Sequence, residues 1–272
     1  MHQLSKGRKK EMVNIIDSGN RFGNMNGGCF LGNLTRDEKR KLFYEHRKLM
    51  GEAYGFDPHK MFMAEQKDRT GSYFEITRDY VNDNPNGWSD ISQDILIITD
   101  KVPGVVIGHP IADCPVVMIE DVKNGAVAIA HCSADLIDKY MPYMTYQALK
   151  EAYNSNDDNI IAYVSSCAGP DWKYDQYPKF ATDSRIWNGA IIEENGMFKI
   201  DVRKALKRQL SGLDLRFNYD DTITNPNYYS NSAASPYGGN DLAKYGRNFA
   251  GVFYPDDSFS SKSSSDIKKF VK

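Results

Sequence analysis

Three apolar runs frame the middle of this chain, at residues 105–107, 115–119 and 126–130, with Ala112-Asp113-Cys114 between the first two and His131-Cys132 directly after the third. Short β-branched runs bounded by Gly, Pro and Asp predict buried strands. The pattern recurs at 95–99 (ILIIT), 160–164 and 249–254, and further strands are expected over 12–16, 58–63 and 73–76. Helical spacing appears three times. Thr35 offers an N-cap and Glu38 completes a capping box for a helix that runs to Tyr54 and stops at Gly55. Leu42, Phe43, His46, Leu49 and Met50 recur along it, which makes His46 a packed or surface residue rather than a catalytic one. A second helix is expected over 136–152, and a third over 202–210, capped by Asp201 and closed by Gly212.

Between these elements lie a loop at 19–28 with four glycines in ten residues, a turn-rich NDNPNGWS at 82–89, a polar loop at 154–159, an aromatic loop at 172–178 and a Gly-containing connection at 191–200. The glycine loop has neither the dinucleotide fingerprint nor a Gly-Lys-Ser/Thr ending, so it is no nucleotide motif. Strands interleaved with helices predict one domain of the α/β or α+β class. The boundaries expected are a leader and first strand over 1–18, the domain over 19–255 and a flexible Ser- and Lys-rich tail over 256–272.

Composition narrows the function classes. A chain of 272 residues, 41% of them hydrophobic, can bury one large core, and its formal charge of -2 points to neither nucleic acid nor an acidic membrane as a partner. The basic cluster at 6–10 reads as a solvated leader. Four widely spaced cysteines without a C-x-x-C fit a reduced thiol set. No apolar stretch approaches the roughly 20 residues of a membrane span, and the basic start lacks a signal peptide's apolar core. A soluble, cytoplasmic protein is expected.

Cys114 and His131, at the ends of neighbouring strands, can share a small polar pocket that holds a metal or activates a thiol. They can equally be a small core residue and a hydrogen-bonded strand end. Ser165, Ser166 and Cys167 can line a pocket, or sit where they do because a Gly-Pro turn follows.

Several local motifs in one order resemble the laccase-domain family, also called multicopper polyphenol oxidase or peptidoglycan editing factor proteins, with purine nucleoside phosphorylase activity. The resemblance covers roughly residues 23–254. It rests on Gly32-Asn33-Leu34, His46-Arg47, Gln66, Ala112-Asp113-Cys114, His131, the 167–170 segment, Asp201-Val202-Arg203 with Ala205 and Arg208-Gln209-Leu210, and Tyr245-Gly246-Arg247. It implies an α+β fold of mixed sheets sandwiched by helices, and a zinc held by a cysteine and two histidines. Cys114 and His131 match two of those ligands, while Asp68 stands where the family has its first histidine. By the same resemblance Asn33, Gln66, Cys167 and Arg247 are expected at the substrate, with Arg247 suited to a phosphate or carboxylate.

The chain departs from the family where His131-Cys132-Ser133-Ala134-Asp135 replaces His-Ala-Gly-Trp-Arg, and where Tyr228-Tyr229-Ser230 is not followed by an arginine pair. Three functions follow as expectations. The first is a metal-dependent enzyme acting on purine nucleosides by phosphorolysis or deamination, with Cys114, His131 and Asp68 at the reacting centre. The others are an inactive homologue that captures a nucleoside or nucleotide, and a cysteine hydrolase of peptide-like amides. Copper is not expected, because multicopper sites need many histidines and five scattered ones cannot build them.

Overall fold

The computed structural model describes residues 13–25, 34–67, 69–87, 91–170, 172–235, 240–259 and 264–272. Its strands are β1 (Asn14–Asp17), β2 (Met61–Phe62), β3 (Tyr73–Glu75), β4 (Ile95–Thr99), β5 (Val106–Ile111), β6 (Val116–Asp121), β7 (Ala126–His131), β8 (Ile160–Val164), β9 (Trp172–Tyr174), β10 (Ile191–Glu194), β11 (Met197–Ile200), β12 (Asp214–Asn218), β13 (Asn248–Phe253) and β14 (Phe270–Val271). The helices are α1 (Arg36–Tyr54), α2 (Arg78–Asp83), α3 (Ala134–Asp138), α4 (Met141–Tyr153), α5 (Ser184–Trp187), α6 (Val202–Gln209) and α7 (Asn231–Ala234).

Among the described residues the strands form three sheets. The largest has seven strands in the order β14-β12-β8-β6-β7-β4-β3, the second four in the order β1-β13-β5-β2, and the third three in the order β10-β11-β9. Both larger sheets are mixed: β3 runs parallel to β4, β8 to β12 and β2 to β5, and their other pairings are antiparallel.

The apolar residues show why these sheets stack. One face of the seven-stranded sheet, with Ile97, Val117, Ile119 and Ala128, packs on Leu136, Met141 and Leu149 of α3 and α4 and on Val202, Ala205 and Leu206 of α6. The opposite face, with Leu96, Ile98, Met118 and Ile129, meets Ile15, Ile107, Ala250 and Val252 of the four-stranded sheet. That smaller sheet turns its outer face, with Ile16, Met61, Val106 and Phe249, to Phe43, Met50 and Tyr54 of α1. The result is helix, sheet, sheet, helix. This is the α+β arrangement of mixed sheets between helices that the resemblance implied.

Local elements follow their sequence signals closely in places. Thr35 caps α1, with Glu38 closing the capping box and Gly55 ending the helix in the left-handed region at φ 79°. Elsewhere the structure differs from expectation. The helix expected over 136–152 is two helices, because Tyr140 turns left-handed at φ 65° and Pro142 starts a new helix. The connection at 191–200 is a hairpin whose turn, Asn195-Gly196, takes positive φ at both residues. Strand β12 and helix α2 had no expectation attached to them.

Residues 264–272 fall in the stretch expected to be a flexible tail, yet they are tied down. The Asp266 N–H bonds the Ile15 carbonyl at 2.7 Å, β14 pairs with β12, and Phe270 is buried with its ring edge-on to Tyr163 at 5.8 Å. No helix among the described residues is long and apolar enough to cross a membrane. Replacing Phe270 by Ala removes a ring from the core between the sheets, and a loss of about 3–5 kcal/mol in chemical denaturation is expected. An unchanged midpoint would mean that the strap is not packed.

Candidate functional site

Strands β6 and β7 pair antiparallel, with Val116 opposite His131, so Cys114 lies two residues before the position that faces His131. The chain reaches Cys114 through Asp113, which adopts φ 76°. A non-glycine residue in that region costs roughly 1–2 kcal/mol, and hydrogen bonds on every side offset it. The Asp113 carboxylate accepts from the Thr222 hydroxyl at 2.8 Å and the Ser232 N–H at 2.6 Å, while its carbonyl accepts from the Ala168 N–H at 2.8 Å. Three distant segments therefore fix the turn that presents the cysteine.

His131 is fixed from the other side. Gln66, also left-handed at φ 54°, donates from Nε2 to the His131 carbonyl at 2.9 Å and places Oε1 2.8 Å from His131 Nδ1. The carbonyl can only accept, so the amide orientation follows, and Nδ1 must carry the hydrogen that Oε1 accepts. Nε2 of His131 is thereby left with a lone pair, as a metal-ligating imidazole or a base requires. The Gln66 loop is held in turn by buried Asp94, whose carboxylate accepts from the N–H groups of Arg69 at 3.1 Å and Gly71 at 2.8 Å.

The electrostatics favour neutral groups. Burial pushes the half-buried Cys114 thiol up to about 12, with Asp113, Cys167 and Asp135 adding to the rise and Arg247 opposing it. Burial takes His131 down to about 4; Asp135 opposes the shift, and Arg247 and Arg69 add to it. Arg247 thus sets its charge beside both residues. Its N–H bonds the Asn24 side chain at 3.0 Å, and one guanidinium nitrogen bonds the Gly246 carbonyl at 2.8 Å. Arg69, on the same side, pairs with Asp135 at 2.6 Å.

Of the residues expected at the site, Gln66 bonds His131, and Arg247 acts electrostatically on both His131 and Cys114, which stand at the same end of β6 and β7. Cys167 is close enough to influence Cys114, but it is fully buried, and its carbonyl is used by Arg203 at 3.4 Å and the Thr222 N–H at 3.1 Å. Its sulfur belongs to the core behind the pocket rather than to a surface a substrate can touch. Asn33 and Asp68 lie outside the described residues. One residue was missed: His109 on β5, whose ring lies 6.0 Å from that of His131 and whose buried Nε2 has no hydrogen-bond partner. Its signal was a polar residue on the inward period of a strand, between Ile107 and Ile111. Tyr174 of β9 also stands near Cys114 and Asp113, and burial, with those two groups adding to it, pushes its phenol up to about 12.

Residues 18–252 match the family described as multi-copper polyphenol oxidoreductase laccase. The chain belongs to that family. No curated protein matches it. Solved structures share the fold at low identity: YlmD from Geobacillus stearothermophilus (14% identity, TM-score 0.67, covering 90% of this chain and 92% of that one), the Bacillus licheniformis hypothetical protein YfiH (14%, 0.62, 79% and 81%) and Neisseria meningitidis protein NMB0706 (14%, 0.63, 91% and 96%).

Within this laccase-family chain the metal question turns on donors. Thiolate sulfur and imidazole nitrogen suit zinc, the Gln66 clamp gives His131 a ligand's orientation, and the orphaned His109 nitrogen adds a polar atom in need of a partner. The donor types fit. Among the described residues, however, no three His, Cys, Asp or Glu side chains already converge as a ligand set. His46 and His59 are elsewhere, bonded to the Asn24 carbonyl at 2.9 Å and to the Tyr44 hydroxyl at 2.6 Å.

His109, which is buried, and His131, which is partly so, give the protein an acid sensitivity. His131 and His109, at about 4 and about 3, sit below the ordinary histidine value, so the unfolded chain takes up protons first and acid favours unfolding. Stability of chelator-treated protein is expected to fall as pH drops from about 6.5 to 5, with a slope approaching about 1.4 kcal/mol per pH unit for each histidine. Urea denaturation across that window checks it, and a flat profile rejects the neutral pair.

Proposed function

We propose that the chain is a metal-dependent enzyme that acts on purine nucleosides at the pocket of Cys114 and His131. The observation that carries this reading is the Gln66 clamp on His131. An amide that donates to the histidine's carbonyl and accepts from its Nδ1 fixes both tautomer and ring plane, an arrangement with little purpose unless Nε2 has a task. The substrate class comes from the family resemblance, and the charge of Arg247 beside the pocket agrees with it.

Cys114 and His131 would hold the metal, with Asp68 as the further ligand implied by the resemblance. A zinc ion supplies Lewis acidity when bound there. The chain's own residues do the rest. Gln66 keeps His131 in one tautomer, and the Asp113 turn holds Cys114 against β7. Arg247 offers a permanent cation to an incoming phosphate. Phosphorolysis fits that cation better than deamination does: a phosphate oxygen bonds to the ribose anomeric carbon as the glycosidic C–N bond breaks, and the base leaves with its electron pair and takes up a proton.

A second reading, capture of a nucleotide-like molecule without turnover, draws on the lack of three convergent metal donors among the described residues. The cysteine hydrolase is disfavoured by the same burial that raises the Cys114 thiol, since a nucleophile needs its thiolate at neutral pH.

Incubating zinc-loaded protein with inosine or adenosine separates these readings. Phosphate-dependent release of free base is expected, and Arg247→Ala should lower kcat/KM for phosphate about 10- to 100-fold, the worth of one or two charge-assisted hydrogen bonds. Tight nucleotide binding with no product would instead establish capture. A second measurement addresses the ligands. Cys114→Ala should lose stoichiometric zinc, and zinc content indifferent to that change would sink the site.

A further inference from the structure

The loop that carries Gln66 holds a second residue in a strained conformation. Arg69 stands at φ 53°, in the left-handed region that glycine or asparagine enters more easily, and the Asp94 carboxylate fixes the loop there by accepting from the N–H groups of Arg69 at 3.1 Å and Gly71 at 2.8 Å. A turn alone does not need an arginine. Backbone strain kept at a residue with a long cationic side chain points to a use for that side chain.

The Arg69 guanidinium reaches across to the segment just past His131. One terminal nitrogen pairs with the Asp135 carboxylate at 2.6 Å, and among the described residues the guanidinium has no other partner. Position 135 is arginine in the family motif and an acid in this chain, so the cation on that side of the pocket comes from the Gln66 loop. The pair is open to solvent, with the two side chains 45% and 37% exposed. An ion pair so placed adds little net stability, and Asp135 keeps the Ser133 hydroxyl at 2.6 Å when the arginine moves away. Arg247 comes from a segment far along the chain and commits one guanidinium nitrogen to the Gly246 carbonyl. Both arginines act on His131 through their charge.

We propose that Arg69 is a phosphate-binding residue of this pocket, leaving Asp135 to take a phosphoryl oxyanion jointly with Arg247. This role rests on reading the pocket as the site of the proposed function, and it gives the anion a second arm there. Guanidinium forks present paired N–H donors that match the oxygens of a phosphate. The exchange breaks and makes hydrogen bonds only, and no proton moves. Asp135 is then a specificity element, because its competition for Arg69 favours an anion that engages both arginines over one that meets a single charge.

The test is calorimetric titration of the full chain as purified, with inorganic phosphate and separately with adenosine monophosphate. Arg69→Asn should weaken binding about 10- to 100-fold, and Asp135→Asn, which frees the arginine, should tighten it roughly 2- to 5-fold. Opposite signs are the signature, since an ion pair that merely holds the loop would make both substitutions act in the same direction. Asparagine tolerates the left-handed conformation at position 69, so the melting temperature of Arg69→Asn should match the parent's and its loss of affinity cannot be put down to misfolding. Weakening seen with inorganic phosphate assigns the arm to a free phosphate, and weakening confined to the monophosphate assigns it to a nucleotide's own phosphate. Two variants that move together, an Arg69→Asn affinity equal to the parent's, or a parent that binds neither ligand would each overturn the role of Arg69. Phosphate held through Arg69 with no base released from inosine would reject the purine reading and keep Arg69 in place. Phosphate-dependent base release that Arg69→Asn leaves unaltered would reject Arg69 alone.

Discussion

Burial of strands β6 and β7 on both faces is the constraint on which the rest of this structure depends. Every residue of β6 is buried, as is every residue of β7 except His131 at its end. Such strands must be near-continuous apolar runs, and they leave polar chemistry only at their ends. One end of β6 carries Glu120 and Asp121, both fully satisfied: Glu120 accepts from the Val13 N–H and the Tyr163 hydroxyl, each at 3.1 Å, and Asp121 accepts from the 123–124 turn. The opposite end delivers Cys114 and His131. The polar side chains that the other end carries are taken up by their own partners, whereas Cys114 and His131 stand at a strand end where polar chemistry can meet a ligand.

Holding polar groups at that edge requires structure brought from far along the chain. Asp17 on β1 shows how the sheets are joined near it: this buried carboxylate accepts from the Ser166 N–H and hydroxyl, both at 2.8 Å, and from Asn218 at 2.9 Å. Burial raises its proton affinity and the hydrogen bonds work against the rise. Gln66 and Asp113 follow the same logic with the backbone. Each adopts a left-handed conformation that costs free energy alone, and each is held there by bonds to segments remote in sequence. Strain of this kind sits at the two residues that aim His131 and Cys114, and it makes their geometry rigid before any ligand arrives.

How much of this the sequence revealed depended on the range of the interaction. Local signals were legible: the Thr35–Glu38 capping box, the apolar runs of β4, β6, β7 and β8, and the Asp201 cap of α6 are set by neighbours a few residues away. Asn195-Gly196 was a hairpin signal of the same local kind, hidden because the strands beside it bury only Ile200 and so show no apolar run. The docking of residues 264–272 was not legible, since a Ser- and Lys-rich stretch gains order only from partners such as Ile15 and Tyr54 some two hundred residues away. The site divides in the same way. Cys114 and His131 stood at strand ends by their own pattern, whereas His109 meets His131 only because two sheets stack, and sheet stacking leaves no trace in the spacing of residues along one strand.

The electrostatics of the pocket then limit its chemistry. A thiol at about 12 is a poor nucleophile and a reluctant ligand until positive charge is set beside it. Arg247 already contributes such charge, and Asp113, Cys167 and Asp135 outweigh it together with burial. The arginine is therefore not enough to release the proton, and no histidine partner can substitute, because His131 is held neutral by the same burial. What remains is a group that brings more charge and accepts the sulfur directly. The low dielectric that makes an unpaired thiolate costly also makes a paired one strong, so the pocket that suppresses a bare cysteine nucleophile is the one that rewards a bound cation.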